Sequence, residues 1–297
     1  MANPLHRWWH FPALIGATLL AGALVAWPVY ALLDLVVSPD FRKLLTYGTL
    51  ACGVAFALLY VGRTGPLTPR ALGLRWEERH GIDPLAGFAA GFALLALVEA
   101  SLLLLGVHEF QRNREYVRMD VATVVVQALL LGWLVALVEE LLFRGALLTG
   151  LARGYGARVA AVLTSATYAA AHFLKYPDPA PGQVLHWYTG LEMFPTALRW
   201  FASPGTPAAL LSLFLFGMLL AHVRLRRDSL WPCIGLHAGL VTGYKIAAYC
   251  TDRAPGAQYE FLLSSNSPVL GWLAAAWLAL ALALCRRFCP AATHERR

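Results

Sequence analysis

The sequence predicts an all-α membrane protein of about eight transmembrane helices enclosing an intramembrane cavity. Three observations lead there. Only 14% of the 297 residues are charged, against about 25% in soluble domains. Mean hydropathy is +0.58. The apolar residues fall in runs near 20 long, enough to cross about 30 Å of hydrocarbon as helix.

The runs lie at roughly 11–33, 43–62, 84–106, 121–142, 158–175, 207–223, 229–250 and 267–285. They leave no room for a soluble domain, so the chain reads as one integral membrane domain, 1–297. The first run follows Arg7 but exceeds the 7–15 residues of a signal-peptide core, so an uncleaved span is expected. With both termini cytoplasmic, fifteen of the 24 basic residues fall on the inner side, in line with the positive-inside rule. The net charge of +7 is explained by these flanks. No basic stripe interleaved with aromatics indicates nucleic acid. Arginine outnumbers lysine 21 to 3, a bias common in GC-rich bacteria, so a multi-pass bacterial inner-membrane protein is expected. The five cysteines form no C-x-x-C pair and read as small hydrophobes.

Two stretches are not plain spans. Residues 69–81 mix Leu72, Leu74 and Trp76 with charges and suit the membrane surface. Residues 176–207 combine prolines with Trp187, Tyr188, Phe194, Trp200 and Phe201. They read either as an interfacial loop or as a re-entrant lid.

Ionisable groups inside spans are costly and need a partner or a function. The fourth run ends LVALVEELLFRGALL. Glu140 and Arg144 share a helical face at i,i+4 and are assigned a structural role. Glu139 has no basic residue at i±3 or i±4, so its partner must come from another helix. His172 follows in TSATYAAAHF, a small-residue helix open to close contact, with Tyr168 one turn earlier. A hairpin about Gly154-Tyr155-Gly156 puts 139 and 172 at equal depth. His237 sits among small residues at the start of the seventh run, with Val241, Tyr244 and Lys245 following on its face. A shielded carboxylate can act as a general base. Glu139 with His172 would then deprotonate a water, and His237 would donate to the oxyanion. Against this stands the packing reading, in which each histidine only bonds a neighbouring helix. By rise per residue, His237 lies about 10 Å from its cytoplasmic end and Glu139 over 20 Å from its turn. The two agree only if that turn protrudes. His186 and His222 are assigned no role, and Glu99 is left unassigned.

At these residues the chain resembles the CPBP family, the CAAX protease and bacteriocin-processing membrane proteins. Glu139, Glu140 and Arg144 match E-E-x-x-x-R; Tyr168 loosely and His172 fully match F-x-x-x-H; His237 matches H-x-x-x-N/D, from which Val241 departs. The likeness covers about 121–245. It implies an eight-helix intramembrane endopeptidase acting on peptide or membrane-protein substrates. Glu139, His172 and His237 would be catalytic, and Glu140 and Arg144 would hold the helix geometry. Val241 removes an amide donor, which Tyr244 or Lys245 would have to replace as oxyanion or substrate contact. Otherwise the chain is a weak or inactive member that binds peptide as an immunity or scaffold protein. No cofactor is expected. Zn²⁺ is the lesser alternative, since the informative H-E-x-x-H spacing is missing.

Overall fold

The computed structural model describes residues 10–65, 68–74, 83–111, 120–174, 176–180, 182–265 and 267–288. Helix dominates. The helices are α1 (His10–Leu33), α2 (Phe41–Thr64), α3 (Asp83–Leu104), α4 (Val121–Glu140), α5 (Leu148–Tyr155), α6 (Ala157–Ala171), α7 (Thr189–Leu198), α8 (Thr206–Arg227), α9 (Trp231–Cys250) and α10 (Trp272–Phe288). A π-helical segment, Leu141–Leu147, joins α4 to α5 without a break. Each predicted run contains a helix. Two short strands, β1 (His108–Phe110) and β2 (Thr251–Arg253), pair antiparallel; no periodicity announced them.

Of the eight expected spans, five are supported. Among the described residues, five helical stretches are long and apolar enough to cross a membrane: His10–Leu33, Phe41–Arg63, Asp83–Leu104, Val121–Tyr155 and Thr206–Arg227. Helix α6 has 15 residues, short of the ~17–25 a span needs, and α10 has 17, at the lower end of that range. Helix α9 has the length but lies inside the bundle, with ten of its 20 residues buried, His237 among them. A helix shielded from lipid by its neighbours need not be apolar all round. Elsewhere, large apolar side chains such as Leu20, Leu32, Leu130 and Leu134 stand exposed, as lipid-facing surfaces require.

Glycines seat α9. On α3, a Cβ on Gly91 would stand 1.9 Å from the Leu236 carbonyl; on α9, a Cβ on Gly239 would stand 2.0 Å from that of Phe88. Gly87 and Gly235 make the same reciprocal approach. These are two G-x-x-x-G stretches facing each other, the close backbone contact that small residues allow in membranes. On the opposite flank, Gly132 of α4 meets Ala238 and Thr242 of α9. Helix α9 is therefore clamped between α3 and α4, which fixes the height and rotation of His237.

The first half of the 69–81 stretch, residues 68–74, forms a turn bound to the bundle's end. The Leu230 amide donates to the Gly73 carbonyl at 2.8 Å, and Arg224 and Thr149 both donate to the Ala71 carbonyl. Its remainder lies outside the described residues. Stretch 176–207 contains α7, which leans on α1: the Trp27 indole donates to the Leu185 carbonyl, and Gly190 abuts the Ala23 backbone. The four described cysteines are free thiols, with Cys233 fully buried.

Candidate functional site

The continuous column Val121–Tyr155 holds the first part of the site. Asp120 caps its start, accepting the Thr123 amide at 2.8 Å and the Thr123 hydroxyl at 2.9 Å. At about 1.5 Å per residue the 35 residues rise about 50 Å, well beyond about 30 Å of hydrocarbon. The column is therefore longer than the hydrocarbon is thick, and it ends at the turn at Gly156 (φ +80°).

Glu139 and Glu140 stand where the α-helix gives way to the π segment. There the Leu148 amide donates to the Phe143 carbonyl, five residues back. Such bulges turn the downstream helix relative to the upstream part and frequently mark functional sites.

Glu140 lies at the centre. It is fully buried, as is Arg144, and His237 is 2% exposed. Glu140 Oε1 accepts from Arg144 Nη1 at 3.0 Å and from His237 Nδ1 at 2.8 Å. Arg144 also donates through Nη2 to the Gly217 carbonyl of α8 at 3.3 Å, and its guanidinium lies 4.6 Å from the Tyr168 ring centre. One buried carboxylate thus ties α4, α8, α9 and, through Tyr168, α6. The Glu140–Arg144 pairing is present, but it is half of what Glu140 does. With Nδ1 donating to a carboxylate, a neutral His237 keeps its lone pair on Nε2.

That Nε2 faces Glu139 Oε2 at 3.8 Å. Glu139 is half-buried, with 24% of its side chain exposed. Its Oε2 is buried without a hydrogen-bond partner. A separation of 3.8 Å is too long for a hydrogen bond and suits bridging by a water or a substrate group.

His172 ends α6 with an exposed side chain. Its Nδ1 donates to the Tyr168 carbonyl at 2.9 Å, and its ring centre lies 4.6 Å from that of Tyr168. The Nδ1 bond leaves Nε2 as the proton-accepting nitrogen of a neutral ring. Glu139 and His172 share no hydrogen bond or ion pair; the buried Tyr168 stands against His172, Arg144 and His237 alike. Further along α9, Tyr244 packs on the cluster of Leu95, Val98 and Leu102, and Lys245 is exposed. Neither bonds to the site.

Sequence reasoning missed three contributors. The Glu140–His237 bond joins residues 97 apart, which no local spacing reveals. Phe216 stands edge-on to the His237 ring at 5.3 Å, yet in sequence it is one apolar residue in an apolar run. The π segment has no periodicity of its own. For metal, no group of three or more His, Cys, Asp or Glu side chains is arranged to hold an ion among the described residues.

Residues 121–242 match the family described as type II CAAX prenyl endopeptidase, Rce1-like. No curated protein and no solved structure matches the chain.

Proposed function

Proceeding from an Rce1-like domain of the CPBP family at residues 121–242, we propose that the chain is an intramembrane endopeptidase. Its substrates are peptides or membrane proteins cut near the bilayer. The family, whose activity is proteolytic, supports the reaction class. The observation that carries the reading is the Glu139–His237 gap: a buried carboxylate oxygen without a hydrogen-bond partner, 3.8 Å from an imidazole nitrogen whose ring Glu140 holds in place.

In this reading Glu139 takes a proton from the attacking water as general base. His172, with Nε2 free, assists, and the proton passes to the leaving amine as the peptide C–N bond breaks. His237 would serve the developing oxyanion as a donor with a proton on Nε2 as well as on Nδ1, that is as imidazolium. Glu140 and Arg144 position it. The buried site lowers the effective dielectric and strengthens each interaction. The test is cleavage of a candidate peptide by purified Glu139→Gln protein. We expect a loss of about 10²–10⁴-fold, the usual weight of a general base; undiminished turnover removes the proposal.

One observation favours a second reading, a peptide-binding member with weak or no catalysis. Val241, one turn beyond His237, has no donor, and neither Tyr244 nor Lys245 bonds into the site in its place. This reading predicts that Glu139→Gln and His172→Ala retain function in cells.

A further inference from the structure

A cavity of about 500 Å³ lies between α1, α2, α6 and α7. Its walls are hydrocarbon. The three hydroxyl residues lining it, Thr18, Thr49 and Thr167, are turned back on their own helices and donate to the carbonyls of Leu14, Leu45 and Leu163 at 2.8, 2.8 and 2.9 Å. They show the cavity their methyl groups. The lining runs from Thr49 to Ala57 on α2 and from Leu163 to Ala171 on α6, a rise of about 12 Å along each helix. The cavity is long, apolar and a poor host for water, which needs two to four polar partners.

At the end nearest the α1–α2 turn the chemistry reverses. A second cavity, of about 510 Å³, is lined by Arg42, Tyr176, Asp178, Thr196 and Arg199. Arg42 engages Asp178 through Nε at 2.9 Å and Asp40 at 3.7 Å; Arg199 forms no ion pair among the described residues. Tyr176 joins the two spaces. It lines the polar cavity, is only 4% exposed, and sets its hydroxyl beside Thr49 of the apolar wall without a well-formed hydrogen bond. Its donor is unspent.

We propose that the two cavities form one site for a glycerophospholipid of the leaflet on which the α1–α2 turn lies. An acyl chain fills the apolar cavity, and the phosphate sits between Arg42 and Arg199, within reach of the Tyr176 hydroxyl. Guanidinium groups suit phosphate oxygens, and a 12 Å hydrocarbon slot suits an acyl chain. A free phosphate would leave the slot empty, and a neutral lipid would leave Arg199 unanswered, since Arg42 already has Asp178 and Asp40. The site is separate from the peptidase reading, although the chain would pack on Phe143, whose ring meets Tyr168 edge-on at 5.2 Å.

The test uses the purified, delipidated full chain in a maltoside detergent. It is titrated with dioleoyl phosphatidylglycerol, dioleoylglycerol or inorganic phosphate. Thermal unfolding and native mass spectrometry are read. We expect saturable stabilisation and a one-to-one adduct with the phospholipid alone, since a ligand of the native state raises its stability with concentration. Arg199→Gln should weaken binding about tenfold, the effect of losing one charge-assisted hydrogen bond. Ala166→Phe, from an exposed position on the apolar wall, should abolish saturation. Equal stabilisation by dioleoylglycerol, or unchanged affinity in Arg199→Gln, overturns the proposal. Arg199 is on the surface, so that variant decides even if Ala166→Phe does not fold. Cleavage is not read, so this site and the peptidase reading fail separately.

Discussion

Glu140 is the residue on which the site's geometry rests. Its one engaged oxygen takes hydrogen bonds from both Arg144 and His237, and all three side chains are shielded from solvent. Buried pairs of this kind add little net stability over an apolar replacement, but losing one partner leaves the other charge stranded. Glu140→Gln is therefore expected to cost about 3–5 kcal/mol, the range for a broken buried pair, read as a drop in thermal midpoint. Glu139→Gln, at a half-buried carboxylate with no hydrogen bond to Oε2, should leave the midpoint nearly unchanged while removing cleavage. Similar midpoints for the two variants would show that the adjacent glutamates are equivalent after all. Spacing already separated them: only Glu140 has a basic residue at i+4. Spacing could not show that Glu140 also holds His237, because that contact joins α4 to α9.

At the scale of elements, two features place these side chains. The first is the glycine contact of α3 with α9. Gly91→Ala puts a methyl 1.9 Å from the Leu236 carbonyl. Backbone cannot move aside as a flexible side chain can, so about 1–3 kcal/mol of destabilisation is expected, the usual range for overpacking. Gly16→Ala on α1, with nothing within 4 Å of the added Cβ, is the control and should be neutral or slightly stabilising. Equal effects in thermal unfolding would mean that the α3–α9 contact is not tight. The second is the cap of α4. The Thr123 amide hydrogen bond holds the Asp120 carboxyl below its ordinary value. A lowered folded-state value means the cap's contribution is complete above the ordinary carboxylate range, near 3.9, and is lost as pH falls through the folded value. Asp120→Asn keeps an acceptor but does not titrate. The difference in thermal midpoint between wild type and Asp120→Asn should be flat from neutrality to about pH 4 and shrink below that. A difference independent of pH would exclude the carboxylate cap.

At the scale of the whole molecule, helix positions were legible because lipid leaves a one-dimensional signature: runs of apolar residues punctuated by charge. The hairpin at Gly156 was legible for a related reason, since a φ of +80° asks for glycine. The number of spans was not. As a run of sequence α9 reads as one more span, yet it is walled in by α3 and α4, carries the buried His237, and is not one of the five helices long and apolar enough to cross a membrane among the described residues. The same enclosure answers the question of Glu99. On α3 it accepts from His108 Nδ1 at 2.7 Å and from the Thr251 hydroxyl at 2.8 Å. It fastens α3 to β1 and β2 where α9 ends.

From the sequence alone came the membrane class, the positions of the helices, the E-E-x-x-x-R and histidine motifs, and the different fates of Glu139 and Glu140. All of these rest on period, run length or local spacing. Only the tertiary structure decided which carboxylate holds His237, that the helix changes to π at the motif, and which helices face lipid. Those outcomes depend on contacts between residues up to 97 positions apart. Such contacts are set by how closely glycine-lined backbones approach, and no window along the chain contains that distance.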